Sequence, residues 1–214
     1  MTRALIMAGG DDAKWKNHLG VRRHFVPING EPLLARIVRQ LEEREVEVWL
    51  IAPNLPEYDI DLPRVTPTTT RWGEEALNGA AAWNKSGRTI LVYGDTVFTD
   101  AAMDTIAGFD RHAWQLFGRF GASKIKPHGE IFAMSFWPEH HAAFRVALDE
   151  AFRLKREKII GRAGSWEAFR ILGGAQGTAV AEHRRYPDLF TEIDDETDDF
   201  DTPGEYEQLA RLFA

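Results

Sequence analysis

Apolar residues run without interruption from Ala4 to Ala8 and stop at Gly9 and Gly10. This is the pattern of a strand buried on both faces that feeds a loop at its carboxyl end, and it suggests a parallel sheet. After a polar stretch, Pro32 opens a segment in which Leu33, Leu34, Ile37, Val38 and Leu41 recur at helical spacing, and Val46 to Ala52, closed by Pro53, reads as a second strand. Prolines and threonines make 59–70 an extended connection, whereas 74–83 has the alanine-rich composition of a helix. Thr89 to Tyr93 repeats the buried-strand pattern, with Gly94 and Asp95 directly beyond it and Asp100 placed to cap a helix. Trp114 to Phe117 and Ile131 to Phe136 read as further strands, and Phe144, Leu148, Ala151 and Phe152 mark one face of a helix between Pro138 and Leu154. The glycine-rich stretch 161–177 predicts a loop with a short helix, and Thr202-Pro203-Gly204-Glu205 is a capping-box start to a last helix carrying Tyr206, Leu209 and Phe213. Strands alternating with helices predict an α/β fold, a three-layer sandwich around a mostly parallel (mixed) sheet, in which ligands gather beyond the carboxyl ends of the strands. The loops after Ala8 and Tyr93 should therefore face one site.

The chain has 214 residues, 44% of them hydrophobic and 28% charged, enough for one sizeable core and few for two, so a single domain is expected over 1–214. A formal charge of −7, spread along most of the sequence, argues against gripping nucleic acid through a basic face, and a small anionic substrate would need a local positive pocket. There is no cysteine, which excludes disulfides, thiolate metal sites and cysteine nucleophiles and fits a reducing compartment. The apolar run at Ala4 to Ala8 is too short for a signal-peptide core or a membrane span. A cytoplasmic protein without nucleic-acid or membrane partners is the expectation.

Gly9 and Gly10 let a backbone approach a ligand closely, so that amide groups can donate to phosphate oxygens, and Lys14, Lys16, Arg22 and Arg23 lie in the same loop. Two glycines alone serve a tight turn equally well. The longer stretch MAGGDDAKWKNHLGVRRHFVPINGEPLLARI resembles the signature region of the nucleotidyltransferases that share a GT-A-like fold, a group that includes sugar-phosphate nucleotidylyltransferases, molybdopterin guanylyltransferase-like proteins and cytidylyltransferases. The resemblance implies that Ala8, Gly9 and Gly10 bind the nucleotide and that Lys14 and Arg23 are the catalytic cations, with Lys16 and Arg22 left as surface residues. Two departures stand out: Asp12 occupies a position where glycine is usual, and lysine and arginine are exchanged between the two cationic positions. Arg71 and Gly73, in RWGEEALNG, lie where related enzymes place a loop and helix near the nucleotide base.

Asp95, just past a buried strand, is hard to explain as a core residue. By the same resemblance it would bind a magnesium ion that bridges the nucleotide phosphates. Magnesium commonly takes one or two carboxylates plus phosphates and water. The segment TEIDDETDDFDTPGEYEQL resembles the family's C-terminal block, which implies Asp201 as the second ligand, with Asp199 as its nearest substitute. Asp194, Asp195, Glu196 and Asp198 read as a solvated charge run. Lys126 to Glu130 precede a strand in the half expected to bind the acceptor, and His128 could act there, although a lone histidine in a polar loop is more often exposed. The resulting expectation is an enzyme that uses Mg2+ to transfer a nucleotidyl group from a nucleoside triphosphate to a phosphorylated small molecule, with a nucleotide-binding half over about 1–106, an acceptor-binding half over about 107–214, and a homodimer allowed. A glycosyltransferase of the related fold and a catalytically silent nucleotide-binding module are the rival readings.

Overall fold

The computed structural model describes residues 1–10, 13–68, 76–182 and 184–214. Eleven strands are present among them: β1 (Arg3–Met7), β2 (Pro27–Ile28), β3 (Glu31–Pro32), β4 (Glu47–Ile51), β5 (Arg64–Val65), β6 (Thr89–Tyr93), β7 (Thr96–Val97), β8 (Gln115–Arg119), β9 (Glu130–Phe136), β10 (Phe190–Glu192) and β11 (Asp198–Asp199). Seven form one sheet in the order β10-β8-β9-β6-β1-β4-β5, while β2 with β3 and β7 with β11 make two small antiparallel pairs. The buried apolar run at the start of the chain is β1. It lies at the sheet's centre and pairs in parallel with both β4 and β6. Only β9 runs against its neighbours. Its amino end at Glu130 therefore reaches the same rim as the carboxyl ends of β1, β4, β6 and β8.

Alternation along β1 divides the core between two faces. Ala4, Ile6 and Ala8 join Leu34 and Ile37 of the helix Leu33–Glu42, Met103 and Ile106 of the helix Asp100–Gly108, and Leu209 of the helix Pro203–Leu212. Leu5 and Met7 face Phe144 and Leu148 of the helix His141–Arg156 and Phe169 of the helix Ser165–Leu172. Each of these large apolar side chains contributes roughly 1.5–3 kcal/mol by leaving water, so the two layers hold the sheet from both sides. This is the three-layer α/β arrangement expected from the alternation of elements.

Local signals succeed or fail for identifiable reasons. Thr202 accepts from the Glu205 amide and Glu205 accepts from the Thr202 amide, the expected capping box. Asp100, in contrast, is not the cap of its helix. Thr99 has the extended backbone that a cap needs, and its hydroxyl accepts from the Ala102 amide, leaving Asp100 as the first helical residue. The connection over 59–70 also hides β5, a two-residue edge strand whose Arg64 and Val65 pair with Leu50 and Ile51. Among the described residues no helix is long and apolar enough to cross a membrane.

Candidate active site

The site is built where β1 and β6 end side by side. A Cβ on Gly94 would stand 2.8 Å from the Met7 carbonyl oxygen and 3.2 Å from Cδ2 of His24, so a side chain there would push the two strand ends and the loop apart. His24 is the anchor of that loop. Its ring is buried and hydrogen-bonds through Nδ1 to the Tyr58 hydroxyl at 2.7 Å. Burial, reinforced by Arg23 and Arg22, pushes the His24 imidazole well below its ordinary value, so it stays neutral. With His24 fixed in the short turn Arg23–Phe25, the Arg23 side chain is directed back across the glycine loop. A Cβ on Gly10 would come within 2.6 Å of Arg23 Nη2, so the missing side chain leaves room for the guanidinium.

Arg23 draws the two ends of the chain together. Its Nη1 lies 3.0 Å from Asp95 Oδ2 and 3.2 Å from Asp201 Oδ1. Lys14 Nζ reaches the other oxygen of Asp201 at 2.8 Å. Lys126 enters from the opposite side, 3.4 Å from Asp199, 3.7 Å from Asp201 and 3.3 Å from Glu205, and only 4% of its side chain is exposed. Glu205 is doubly used: the Oε2 that meets Lys126 also accepts from the backbone amides of Asp201 and Thr202. The capping box of the last helix thereby positions the carboxylates before it.

Asp95, Glu130, Asp199 and Asp201 share a cavity of about 200 Å³ with Tyr93, Ser165 and Trp166. Four carboxylates in so small a space cannot all ionise freely. Burial pushes the Asp199 carboxyl well above its usual range, and Glu130 and Asp95 push it further. Burial likewise raises Glu130, against the opposing pull of Lys126 and His128. Burial would raise Asp201 as well, but Lys14, Lys126 and Arg23 outweigh it and hold that carboxyl below the ordinary range. Burial works against the Lys126 cation, yet Asp199, Asp201 and Glu205 keep it protonated. Asp199 Oδ1 is buried and has no hydrogen-bond partner. An unsatisfied carboxylate oxygen beside three further carboxylates fits a hard divalent cation. Among the described residues no three acidic or histidine side chains converge as a closed cage, but magnesium does not require one when phosphate and water complete its shell.

Of the residues singled out in the sequence, Lys14, Arg23, Asp95 and Asp201 converge, and Asp199 stands beside them. Gly9 and Gly10 line a separate cavity of about 760 Å³ with Phe25, Pro53 and Leu55. Ala8 is fully buried beneath the loop. Asp12, Arg71 and Gly73 lie outside the described residues. Arg22 pairs with Glu57 away from the carboxylates, and Lys16 is exposed. The acidic run is not uniformly solvated. Asp198 is 1% exposed and ion-paired with buried Arg119 at 2.9 Å, and Asp195 accepts from the Thr99 hydroxyl and the Thr197 amide, because β11 folds this segment against β7. His128 is exposed and pairs with Glu130 at 2.9 Å. Lys126 and Glu205 join the site without having been singled out for it. Lys126 lacks a local periodic signal, and Glu205 is explained in sequence by its capping role alone.

No family model matches the chain, and no curated protein is similar to it in sequence. Solved structures are. A protein designated a glucose-1-phosphate thymidylyltransferase from Bacillus anthracis, solved with sucrose, superposes with a TM-score of 0.68 at 10% identity, covering 100% of this chain and 95% of that one. A CTP:phosphocholine cytidylyltransferase from Streptococcus pneumoniae gives 0.68 at 11% identity, covering 100% and 99%. A UDP-glucose pyrophosphorylase from Acinetobacter baumanii gives 0.67 at 9% identity, covering 100% and 93%. The mixed seven-stranded sheet, its helical layers and this likeness over the whole chain together establish that the protein has the GT-A-like fold of the nucleotidyltransferases.

Proposed function

We propose that the protein is a magnesium-dependent nucleotidyltransferase that moves a nucleoside monophosphate from a nucleoside triphosphate to a phosphorylated small molecule. The observation that carries this reading is Arg23, a cation of the glycine loop in contact with both Asp95 and Asp201 at the sheet's carboxyl rim. Two basic side chains from the start of the chain meet acidic ones from its middle and its end, and the exposed Lys14–Asp201 pair contributes little to folding. Their convergence suits a polyphosphate. The cavity beside Gly9 and Gly10, walled by Phe25, Pro53 and Leu55, has the size and apolar lining for a nucleoside, which supports a nucleotide-binding half over about 1–106 and an acceptor-binding half over about 107–214.

In this scheme an oxygen of the acceptor's phosphate attacks the α-phosphorus, the bond from that phosphorus to the bridging oxygen breaks, and pyrophosphate leaves with the electron pair. No general base is needed, because a phosphate monoester dianion is already nucleophilic. Lys14 and Arg23 neutralise charge that builds on the transferring and leaving groups. A triphosphate entering the loop competes with Asp95 and Asp201 for these cations, and the carboxylates it releases, with Asp199 adjacent, would hold the magnesium. Magnesium, when bound, would supply further neutralisation and alignment of phosphate oxygens. His24 acts indirectly by fixing the turn from which Arg23 projects, and its neutrality avoids a third positive charge beside Arg22 and Arg23. The test is a pyrophosphate-release screen that pairs each common nucleoside triphosphate with phosphorylated sugars, alditols and cofactors, with and without magnesium. Magnesium-dependent release that requires both substrates is expected; release of a nucleoside diphosphate from a nucleotide sugar instead would replace this reading with glycosyl transfer.

A further inference from the structure

The acidic cavity shares Glu130 and Trp166 with a second cleft of opposite character, about 660 Å³ in volume. Arg162, Arg170, Arg184 and Arg185 line it, against the single carboxylate of Glu130. On a chain whose formal charge is −7, this concentration of positive charge has no counterpart in the average composition. The arginines are held by their surroundings. Arg185 lies over the Phe120 ring at 4.8 Å and makes no ion pair among the described residues. Arg184 is oriented by Glu182 at 2.8 Å, and Arg162 by Glu167 at 3.0 Å. Arg170 is almost fully buried; its Nη1 meets the same Glu167 at 3.3 Å and donates to the Val180 carbonyl at 3.1 Å, while its Nε has no hydrogen-bond partner.

We infer that the acceptor carries a second anionic group, a carboxylate or a further phosphate, at the end away from the reacting phosphate, and that this cleft receives it. The inference rests on the transferase reading above and narrows its substrate class. The nucleophilic phosphate must meet the α-phosphorus near Asp95 and Arg23, and none of the four arginines lines that cavity. An acceptor spanning the junction leaves its far end among guanidinium groups. Arginines present planar donor pairs that match carboxylate and phosphate oxygens, whereas a neutral sugar hydroxyl leaves their charge unused and a quaternary ammonium is repelled. Glu130 at the junction repels an anion and accepts hydroxyl hydrogen bonds, so the two anionic ends settle on either side of it.

Calorimetric titration of the full-length protein with two matched pairs of probes tests this: glucose 1,6-bisphosphate against glucose 1-phosphate, and 3-phosphoglycerate against glycerol 3-phosphate, with phosphocholine as the cationic control. In at least one pair the doubly anionic member should bind about tenfold or more tightly, with phosphocholine weakest. The preference should collapse to about twofold in the double variant R184A/R185A, whose two side chains are exposed and whose melting temperature should match that of the parent. A preference in neither pair overturns the inference, as does one that survives in R184A/R185A or a loss of all four probes to the same degree in that variant. Pyrophosphate-release assays separate the two levels. Equal kcat/KM for both members of each pair would sink the dianionic acceptor and leave the transferase; a clear binding preference with no release from any nucleoside triphosphate would sink the transferase and, with it, the cleft's role as an acceptor site.

Discussion

The cavity around Asp95 and the cleft around Arg185 share the wall formed by Glu130 and Trp166, yet they handle charge in opposite ways. In the cavity, like charges crowd: Asp199 and Glu130 are both displaced toward their neutral forms, and one Asp199 oxygen is buried without a partner. In the cleft, Arg162 and Arg170 share Glu167, Arg184 is tethered to Glu182, and Arg185 rests on an aromatic face. The cavity is therefore a place where crowded carboxylates cost the fold stability, as the proposed cation site requires. The cleft is ordered mainly by ion pairs, of which only Arg170–Glu167 is buried on both sides. Site-directed changes on the two sides should accordingly have different signatures, with cavity variants lowering activity while stability stays level or rises and cleft variants altering substrate preference alone.

The largest expected effect is on catalysis. Asp95→Asn keeps the shape of the cavity but removes a full negative charge from the group that faces Arg23. Pyrophosphate release should fall by about a thousandfold, roughly 4 kcal/mol of barrier, with the melting temperature near that of the parent. Full activity in a magnesium-supplied assay would remove Asp95 from the mechanism. Asp198 supplies the control within the same acidic segment. Its ion pair with Arg119 is buried on both sides, and Arg119 also donates to the Thr197 carbonyl. Asp198→Ala strands a buried guanidinium and should lower stability by about 3 kcal/mol in chemical denaturation. An unchanged midpoint would mean that the pair is not the structural strut that its burial indicates.

These two aspartates also mark how far the sequence could be read. Strand β1, strand β6 and the capping box at Thr202 depend on neighbours in the chain, and they were legible as apolar runs and a four-residue pattern. The contact of Arg23 with Asp95 and Asp201 was legible only as two separate family-like blocks, with the fold needed to join them. Asp198 was not distinguishable from the rest of an acidic run, because its environment is set by Arg119, far away in sequence, and by the two-residue strand β11, which is too short to show a period. Strands β5, β7 and β10 escaped for the same reason. The cleft was invisible because Arg162, Arg170, Arg184 and Arg185 have no common spacing and converge only when the helix Ser165–Leu172 packs beside β8 and β10. Lys126 was quoted as part of a polar loop, and nothing local indicated that three carboxylates would bury it.

A smaller effect of opposite sign is expected from Asp199→Asn. In the magnesium-free protein the folded-state pKa of this carboxyl lies above its ordinary value of 3.8, so the native state binds the proton more tightly than the unfolded chain. Ionising this carboxyl in the folded state therefore costs stability; the cost shrinks as falling pH supplies the proton and is gone once the unfolded chain is protonated as well. The asparagine variant should therefore be more stable than the parent by on the order of 1 kcal/mol at pH 7, with the difference shrinking on acidification, while activity declines. Lys126 keeps Asp201 and Glu205 as partners, so the substitution does not strand it. A variant that is less stable at pH 7, or whose advantage grows toward acid, would show that Asp199 is not the crowded member of the group.

The smallest effect on stability belongs to the cleft. Glu182 holds Arg184 through both Nε and Nη2, at 2.9 and 2.8 Å, but both side chains are more than half exposed, at 55% and 52%. Water and salt screen such a pair, and breaking it leaves no buried charge behind, so Glu182→Gln should leave the denaturation midpoint unchanged. Its effect should appear instead in recognition. Freed from its acid, Arg184 becomes a more available but less oriented donor, and these two consequences oppose each other for an anionic ligand. At low salt the lost negative charge should dominate and tighten binding of a doubly anionic probe by about twofold; near 0.5 M salt, where long-range attraction is screened, the loss of orientation should leave binding unchanged or slightly weaker. Titrations of glucose 1,6-bisphosphate at the two salt concentrations would resolve the two contributions. Destabilisation comparable to that of Asp198→Ala would show that the Glu182–Arg184 pair is a structural strut like Asp198–Arg119 and not a surface device that orients a donor.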